Sequence, residues 1–353
     1  MKKFLSSCIF SFFLIGCGGS SEGVASKNKF DVKSFDPYTD EGFKYAWHLR
    51  VVEPDAIARN ISNNSHINIY SAWKKTRGAG VKVAIIDYDF NSNNPDIVSN
   101  IYKTYNTNKN STNVTNNNNS HGTSVAGILS ASKNDYGIIG VAPESKLILI
   151  SADLTDDDQK VEAFKKAKEF GADVICCSWG FINNLSQELK QAIKDDYESG
   201  ITIIFASGNN SLDLEGFGSS YDEEAELPWV IGVGASTELN KKADYSNYGD
   251  EIDILAPAGS RDFGLYTDDY YHDQFKNLDF SGTSASAPVV AGVVALMKSV
   301  NPSLTPDEVR EILIKTADKI EPDIAKYDSN GFSKTHAYGK VNASAAVAKA
   351  LTY

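Results

Sequence analysis

The sequence has few cysteines, and it has fewer basic than acidic residues. Four of its 353 residues are cysteine, and 34 Lys and Arg residues face 46 Asp and Glu residues, which gives a formal net charge of −12. Because proteins bind phosphate backbones through basic patches, this balance argues against a nucleic-acid partner. The hydrophobic fraction of 42% is that of an ordinary folded protein. The length allows one large α/β domain or two smaller ones.

Two of the four cysteines are adjacent in the chain. Cys176 and Cys177 lie in "ADVICCSWG", an apolar run that is typical of a buried strand. Adjacent cysteines rarely satisfy the geometry of a disulfide. We therefore expect both to be core residues, in a protein that folds without disulfides.

The N-terminus has the features of an export signal. Two lysines precede an apolar stretch, residues 4–16, which is too short to span a bilayer but fits the core of a signal peptide. The stretch ends in "LIGC", which resembles the bacterial lipobox, where the cysteine carries the lipid. The resemblance implies a lipoprotein signal peptide over residues 1–16, lipidation at Cys17 and a linker over residues 17–38.

A lipidated cysteine implies a place for the protein in the cell. Acyl chains tether a protein to a membrane without a spanning helix. The residue after the cysteine is Gly18 rather than Asp. In many Gram-negative bacteria, a lipoprotein without Asp at this position is not retained at the inner membrane. We therefore expect a lipid-anchored protein of a bacterial cell envelope, at the outer membrane, facing the periplasm or the surface.

Beyond the linker, apolar strand-like segments alternate with helical ones. The predicted strands are 81–87, 146–154, 172–180, 201–209 and 229–235, and the predicted helices include 161–170 and 187–198. This alternation predicts an α/β fold, a doubly wound, mostly parallel sheet with helices on both faces. Such sheets bind ligands beyond the carboxyl ends of their strands, so the residues that follow each strand are candidate site residues.

Two segments place a polar side chain before a buried helix. "HGTSVAGILSA" begins with His121, and "FSGTSASAPVVAGVVALM" (280–297) contains Ser284. Pro288 allows a helix to start in this segment, because a residue of the first turn needs no N–H. We expect Ser284 to open this helix as His121 opens the other. A hydroxyl at this place lies in the positive field of unpaired N–H groups. Taken alone, it is more simply explained as an N-cap.

Four segments together carry a family resemblance. "VAIIDYDF", "HGTSVAG", "FASGNN" and "SGTSASAPVVAG" resemble the signature segments of subtilisin-like (S8) serine peptidases. Their Asp, His, Ser order is that of the subtilisin triad. The similarity runs from Trp73 to "YGKVNASAAV", and "DPYTDEGFKYAWHL" (36–49) resembles the kexin-like branch. It implies one subtilisin-like peptidase domain over residues 39–353.

The resemblance implies a role for each matching residue. Ser284 would attack the peptide carbonyl, His121 would take its proton, and Asp87 would orient the His121 ring. Asn209 would donate its side-chain amide to the oxyanion. The segment Ser178, Trp179 and Gly180 would pair with the main chain of a protein or peptide substrate.

The resemblance also bears on cofactors. Catalysis by the triad needs none, but a structural calcium is typical of the family. Asp96 and the "KNDYGIIG" turn (133–140), especially Asn134, are where the family's calcium ligands would lie. Oxygen ligands of this kind suit a hard cation. Asn and Asp are also common turn residues, so the turn alone does not establish a metal site.

The sequence departs from the family pattern in two ways. Asp89 follows Asp87 by two residues, and it either perturbs the triad as a like charge or points to solvent. No prodomain fits between Cys17 and residue 36, so the enzyme would fold unaided or with a separate folding helper. A catalytically inactive binding or scaffold lipoprotein is the alternative. An esterase is disfavoured, because "GTSAS" is not a G-x-S-x-G elbow.

Overall fold

The computed structural model describes residues 35–51, 55–115, 121–180, 185–215, 223–268 and 277–353. The predicted signal peptide and Cys17 lie outside these residues. Phe35 packs against the hydrophobic core, and Pro37 is buried. Both residues belong to the range predicted as linker.

Most of the described strands form one parallel sheet. The described strands are β1 (Lys82–Asp87), β2 (Ile101–Asn106), β3 (Lys146–Ser151), β4 (Val174–Cys177), β5 (Thr202–Ala206), β6 (Ile231–Ser236), β7 (Ile252–Pro257), β8 (Leu265–Thr267) and β9 (Asn277–Phe280). The first seven form a sheet in the order β2-β3-β1-β4-β5-β6-β7, in which every neighbouring pair is parallel. β8 and β9 form a separate antiparallel pair. The predicted mostly parallel sheet is confirmed, although β2 and β7 were not predicted.

Helices cover both faces of this sheet. The described helices are α1 (Asp55–Ala58), α2 (Ile69–Trp73), α3 (His121–Ser130), α4 (Asp157–Glu169), α5 (Gln187–Glu198), α6 (Thr283–Val300), α7 (Pro306–Thr316), α8 (Pro322–Ala325) and α9 (Ala343–Ala350). Because successive strand residues point to opposite faces, Val83 and Ile85 pack with α3 and α6, whereas Ala84 and Ile86 pack with α4 and α5. The predicted doubly wound α/β fold is therefore confirmed.

The adjacent cysteines of β4 lie in two different cores. Cys176 belongs to the core beneath α3 and α6, and Cys177 to the core beneath α4 and α5. Both are free thiols and fully buried. Burial raises the pKa of Cys176 to about 12, and it also raises the pKa of Cys177 well above its ordinary value. As predicted, they are packing residues rather than a disulfide.

Helix α6 begins beside Ser284, as predicted. It starts at Thr283, and Pro288 lies in its second turn. Pro288 lacks the N–H that would bond to the carbonyl of Ser284, so the helix loses only one hydrogen bond near its start. The expectation that Pro288 lies in the first turn is wrong, because a proline is tolerated slightly beyond the first turn when the rest of the helix is buried.

Helix α4 begins earlier than predicted. The Asp156 side chain accepts the N–H groups of Asp158 and Gln159, which caps a helix that begins at Asp157, four residues before the predicted start at residue 161. α5 has the predicted bounds, with Ser186 as its cap and Gly200, at φ +92°, just after its end.

Candidate active site

The candidate residues lie at the carboxyl edge of the sheet. Asp87 is the last residue of β1, and the register pairs Ile86 with Cys177 of β4, so Asp87 and Ser178 are at the same edge. Asp87 is fully buried, and its carboxylate accepts the N–H of Tyr88 at 2.8 Å. A buried carboxylate is costly without such partners.

His121 is held by this carboxylate. It is the first residue of α3, and its Nδ1 lies 3.0 and 2.8 Å from the two oxygens of Asp87. Its ring packs edge-to-face with the ring of Phe280, and the two ring centroids are 5.4 Å apart. Burial lowers the pKa of His121, but the charge and hydrogen bond of Asp87 outweigh this and raise the pKa above 6.5. A proton on Nδ1 makes Nε2 the basic nitrogen of the ring.

Ser284 lies in the first turn of α6. Its Oγ donates to the carbonyl of Ser178 at 2.9 Å. A hydroxyl carries one proton, and in this conformation that proton points to the Ser178 carbonyl. Transfer to His121 therefore requires the hydroxyl to turn away from Ser178. Gly282 precedes the helix at φ +88°, a conformation that favours glycine.

Asn209 is joined to the same helix. Its Oδ1 accepts the N–H of Thr283 at 2.8 Å and the Thr283 hydroxyl at 3.1 Å. With the oxygen engaged, the NH₂ end of the exposed side chain is the end that can donate to a ligand. Thr283 in turn accepts the N–H of Gly208 at 3.1 Å. This role of Thr283 was not predicted from the sequence, although its place directly before Ser284 is a signal.

The segment Ser178, Trp179 and Gly180 continues from β4. Trp179 is 7% exposed, and its Nε1 donates to the carbonyl of Ile86 at 2.8 Å. The centroid of its ring lies 4.9 Å from that of Phe205. The indole therefore fixes the segment to the sheet. Only the main chain of the segment is left to pair with a ligand.

Asp89 is buried, with 7% of its surface exposed. The interpretation that it points to solvent is therefore wrong. Its carbonyl lies against Gly122, where a Cβ would come within 2.4 Å of that oxygen. The glycine after His121 thus allows α3 to approach the strand that ends in Asp87.

Asp96 and Asn134 are also brought together. Asp96 is fully buried and accepts from the side chain of Asn134 at 3.1 Å and from the N–H of Ile138 at 2.8 Å. Asp40, which was not predicted, accepts the N–H groups of Asn134 and Tyr136 through Oδ1. Its buried Oδ2 has no donor among the described residues. Within those residues, no group of three or more His, Cys, Asp or Glu side chains is arranged to hold a metal ion.

Comparisons with known proteins identify the family of the chain. The model of the subtilase family matches residues 78–341. The chain is 30% identical to a calcium-dependent protease of Nostoc over 88% of its length, but it spans only 52% of that relative. It is 34% identical to a subtilisin of Bacillus pumilus over 68% of its length and 84% of the relative. A serine protease of Aeromonas sobria, solved in complex with a chaperone, has a TM-score of 0.78 at 19% identity, covering 89% of this chain and 67% of that one.

Proposed function

Because the chain belongs to the subtilase family, we propose that it is a serine endopeptidase that hydrolyses peptide bonds through an acyl-enzyme intermediate. The observation that carries this proposal is the hydrogen bond between His121 and the buried Asp87, at the edge of the sheet where Ser284 lies in the first turn of α6. This arrangement supplies a nucleophile and a base with a raised pKa.

The reaction starts with rotation of the Ser284 hydroxyl from the Ser178 carbonyl to Nε2 of His121. As Oγ attacks the peptide carbonyl, His121 takes its proton, and the carbonyl oxygen becomes an oxyanion. His121 then gives that proton to the leaving amine, and the C–N bond breaks. Water, deprotonated by His121, hydrolyses the ester and restores Ser284. Asp87 stays ionised and stabilises the imidazolium.

Asn209 stabilises the oxyanion together with the backbone N–H of Ser284. The Asn209 amide is oriented by its two hydrogen bonds to Thr283. Donors fixed before the reaction stabilise developing charge without reorganising, which is why they lower the barrier.

The substrate is a protein or peptide bound in an extended conformation. The segment from Ser178 to Gly180 extends beyond β4, and its main chain can pair with a peptide as an added strand. Because the Trp179 ring is buried, main-chain pairing gives affinity while side-chain preference comes from elsewhere.

A structural calcium fits the loop that contains Asn134. Asp96 is buried, Asp40 Oδ2 is an orphaned buried oxygen, and the available ligands are all oxygens. Asp96, Asp40 and the Asn134 side chain would hold the ion, and the calcium-dependent protease of Nostoc is a similar protein. The ion supplies positive charge that stabilises the fold, and the catalytic steps above need no cofactor.

The protein is anchored by lipid at Cys17 in a bacterial cell envelope, at the outer membrane. The "LIGC" sequence after an apolar stretch supports this. A separate folding helper assists it, which is supported by the chaperone bound to the structurally similar Aeromonas sobria protease.

Labelling with a fluorophosphonate tests the proposal. The full chain, Ser284→Ala and His121→Ala are labelled side by side, and casein cleavage is measured on the same samples. We expect labelling and cleavage by the unaltered protein alone. A folded protein that neither reacts nor cleaves casein contradicts the proposal and favours a binding lipoprotein.

A further inference from the structure

A cleft of about 330 Å³ lies where three distant segments of the chain meet. Residues 49–51, the start of α2 and the start of α9 line it. Ile67 joins these segments, because its N–H donates to the carbonyl of His48 at 2.9 Å and its carbonyl accepts the N–H of Ala343 at 2.8 Å. The walls of the cleft are therefore held in place without a ligand, and none of the residues that line it belongs to the candidate active site.

One part of the cleft is apolar. Leu49 and Ile69 are fully buried members of the hydrophobic core, and Val51 is partly buried and packs against it. All three line the cleft. A hydrocarbon group placed against them is removed from water, which is favourable in proportion to the apolar area that it buries. Apolar walls with a few fixed polar groups are typical of sites for small molecules.

Arg50 is the cation of the cleft. The carbon of its guanidinium lies 4.4 Å from the ring centroid of Tyr70 and 5.7 Å from that of Tyr38, and Nη1 donates to the Tyr38 hydroxyl. Stacking on these rings fixes the plane of the guanidinium and leaves further N–H groups along its edge. Two parallel N–H groups of such a fork match the two oxygens of a carboxylate.

His66 supplies a second donor. Its Nδ1 accepts the N–H of Asn68 at 2.9 Å. Burial and the positive charge of Lys340 lower the pKa of His66 to about 4, so the ring is neutral at pH 7 and its proton lies on Nε2. This N–H has no acceptor among the residues that the structure describes, and His66 lines the cleft. A ligand that accepts a hydrogen bond there satisfies the ring.

The charges around His66 favour an anion. The charged groups that act on its ring are Lys340, Arg50 and Asp318, which sum to one positive charge. The single carboxylate among them already accepts hydrogen bonds from two asparagine amides, at 2.9 and 3.4 Å. In a chain whose formal net charge is −12, this local excess of positive charge attracts a negative group.

We propose that this cleft binds a carboxylate that is joined to an apolar group. The carboxylate accepts from the Arg50 guanidinium and from Nε2 of His66, and the apolar group lies against Leu49 and Ile69. Two kinds of molecule have this chemistry, namely the C-terminus of a peptide that ends in an apolar residue and a fatty acid. The inference does not depend on the protease function.

Binding of small carboxylates tests the proposal. N-acetylleucine represents the peptide C-terminus, hexanoate represents the fatty acid, and N-acetylleucinamide has the same apolar group without the charge. Each is titrated by NMR into the full chain and into Arg50→Met and His66→Phe. The matched control is Arg59→Met, because the Arg59 guanidinium also stacks on two rings, 5.0 Å from the centroid of Phe263 and 5.8 Å from that of Tyr45.

We expect the unaltered protein to bind at least one of the two carboxylates and to bind the amide at least tenfold more weakly. Arg50→Met and His66→Phe should each weaken carboxylate binding by about tenfold or more, because each removes a hydrogen bond to a charged group. Arg59→Met should bind like the unaltered protein. The carboxylate that binds more tightly identifies the source of the ligand.

The proposal is overturned if neither carboxylate binds, if the amide binds as tightly as the acid, or if Arg50→Met and Arg59→Met have equal affinities. The Tm of each variant shows whether it is folded, and His66→Phe decides the matter if Arg50→Met does not fold. Fluorophosphonate labelling of the same samples reports on Ser284 alone. Loss of labelling with normal carboxylate binding would therefore contradict the protease function and leave this site in place.

Discussion

Both carboxylate oxygens of Asp87 lie within 3.0 Å of Nδ1 of His121. Asp87 is fully buried, whereas the side chain of His121 is 28% exposed. The charge is therefore kept away from water while the base can reach a substrate. This difference in exposure makes the ring both oriented and accessible.

The pH dependence of activity follows from this pair. Asp87 raises the pKa of His121 above 6.5, and only the neutral ring accepts a proton from Ser284. Activity is therefore lost as pH falls through the raised pKa. We expect kcat/KM for a peptide substrate to rise with pH with a midpoint above 6.5.

Asp87→Asn is the control for this profile. Without the carboxylate, burial alone acts on His121, so the midpoint of fluorophosphonate labelling should move to lower pH as its rate falls. A wild-type midpoint below 6.5, or the same midpoint in the variant, would contradict the assigned pair.

Asn209→Ala removes the proposed oxyanion donor. We expect kcat to fall about 10²–10³-fold with little change in KM, because the hydrogen bond forms mainly in the transition state. The control is Asn210→Ala, whose neighbouring exposed side chain can be removed while its backbone N–H still donates to Asn247. Equal effects of the two substitutions would show that Asn209 has no special role.

Trp179→Phe removes the hydrogen bond to the Ile86 carbonyl. We expect the free energy of unfolding to fall by about 1–3 kcal/mol, as measured by urea denaturation. The matched control is Trp229→Phe, because the Nε1 of Trp229 has no acceptor among the described residues. A larger loss in the control would rule out the hydrogen bond as the cause.

Gly292→Ala tests how tightly α6 packs. Helix propensity favours alanine by about 1 kcal/mol, but its Cβ would lie 2.5 Å from the Cβ of Val141. Overpacking costs about 1–3 kcal/mol, so we expect a lower Tm. Gly249→Ala, where the nearest atom is 3.5 Å away, should leave the Tm nearly unchanged. A Tm increase in Gly292→Ala would mean that Val141 moves aside.

The sheet and the residues at the ends of its strands could be predicted, because each produces a recognisable local pattern in the sequence. Buried parallel strands give continuous apolar runs, and Asp87 ends one of them. β2 was missed because it is half-exposed and polar. Pro288 lies in the second turn of α6 rather than the first, because the packing of α6 determines where a proline is tolerated.

Contacts between distant segments could not be predicted. The resting partner of Ser284 is a carbonyl 106 positions away, and the Ser124 hydroxyl donates to the carbonyl of Asp268 only because β8 packs on α3. Neither contact leaves a local pattern in the sequence. Four motifs in family order therefore identify the candidate catalytic residues but not the conformation in which they rest.

Because Cys176 and Cys177 lie in different cores, their thiols report separately on the two helical layers that cover the sheet. A thiol reagent reaches Cys176 only when the layer containing α3 and α6 separates from the sheet, and reaches Cys177 only when the layer containing α4 and α5 does. Peptide mapping of the modified chain therefore distinguishes which layer opens first during unfolding. Two neighbouring residues of one strand thus report separately on the stability of the two helical layers.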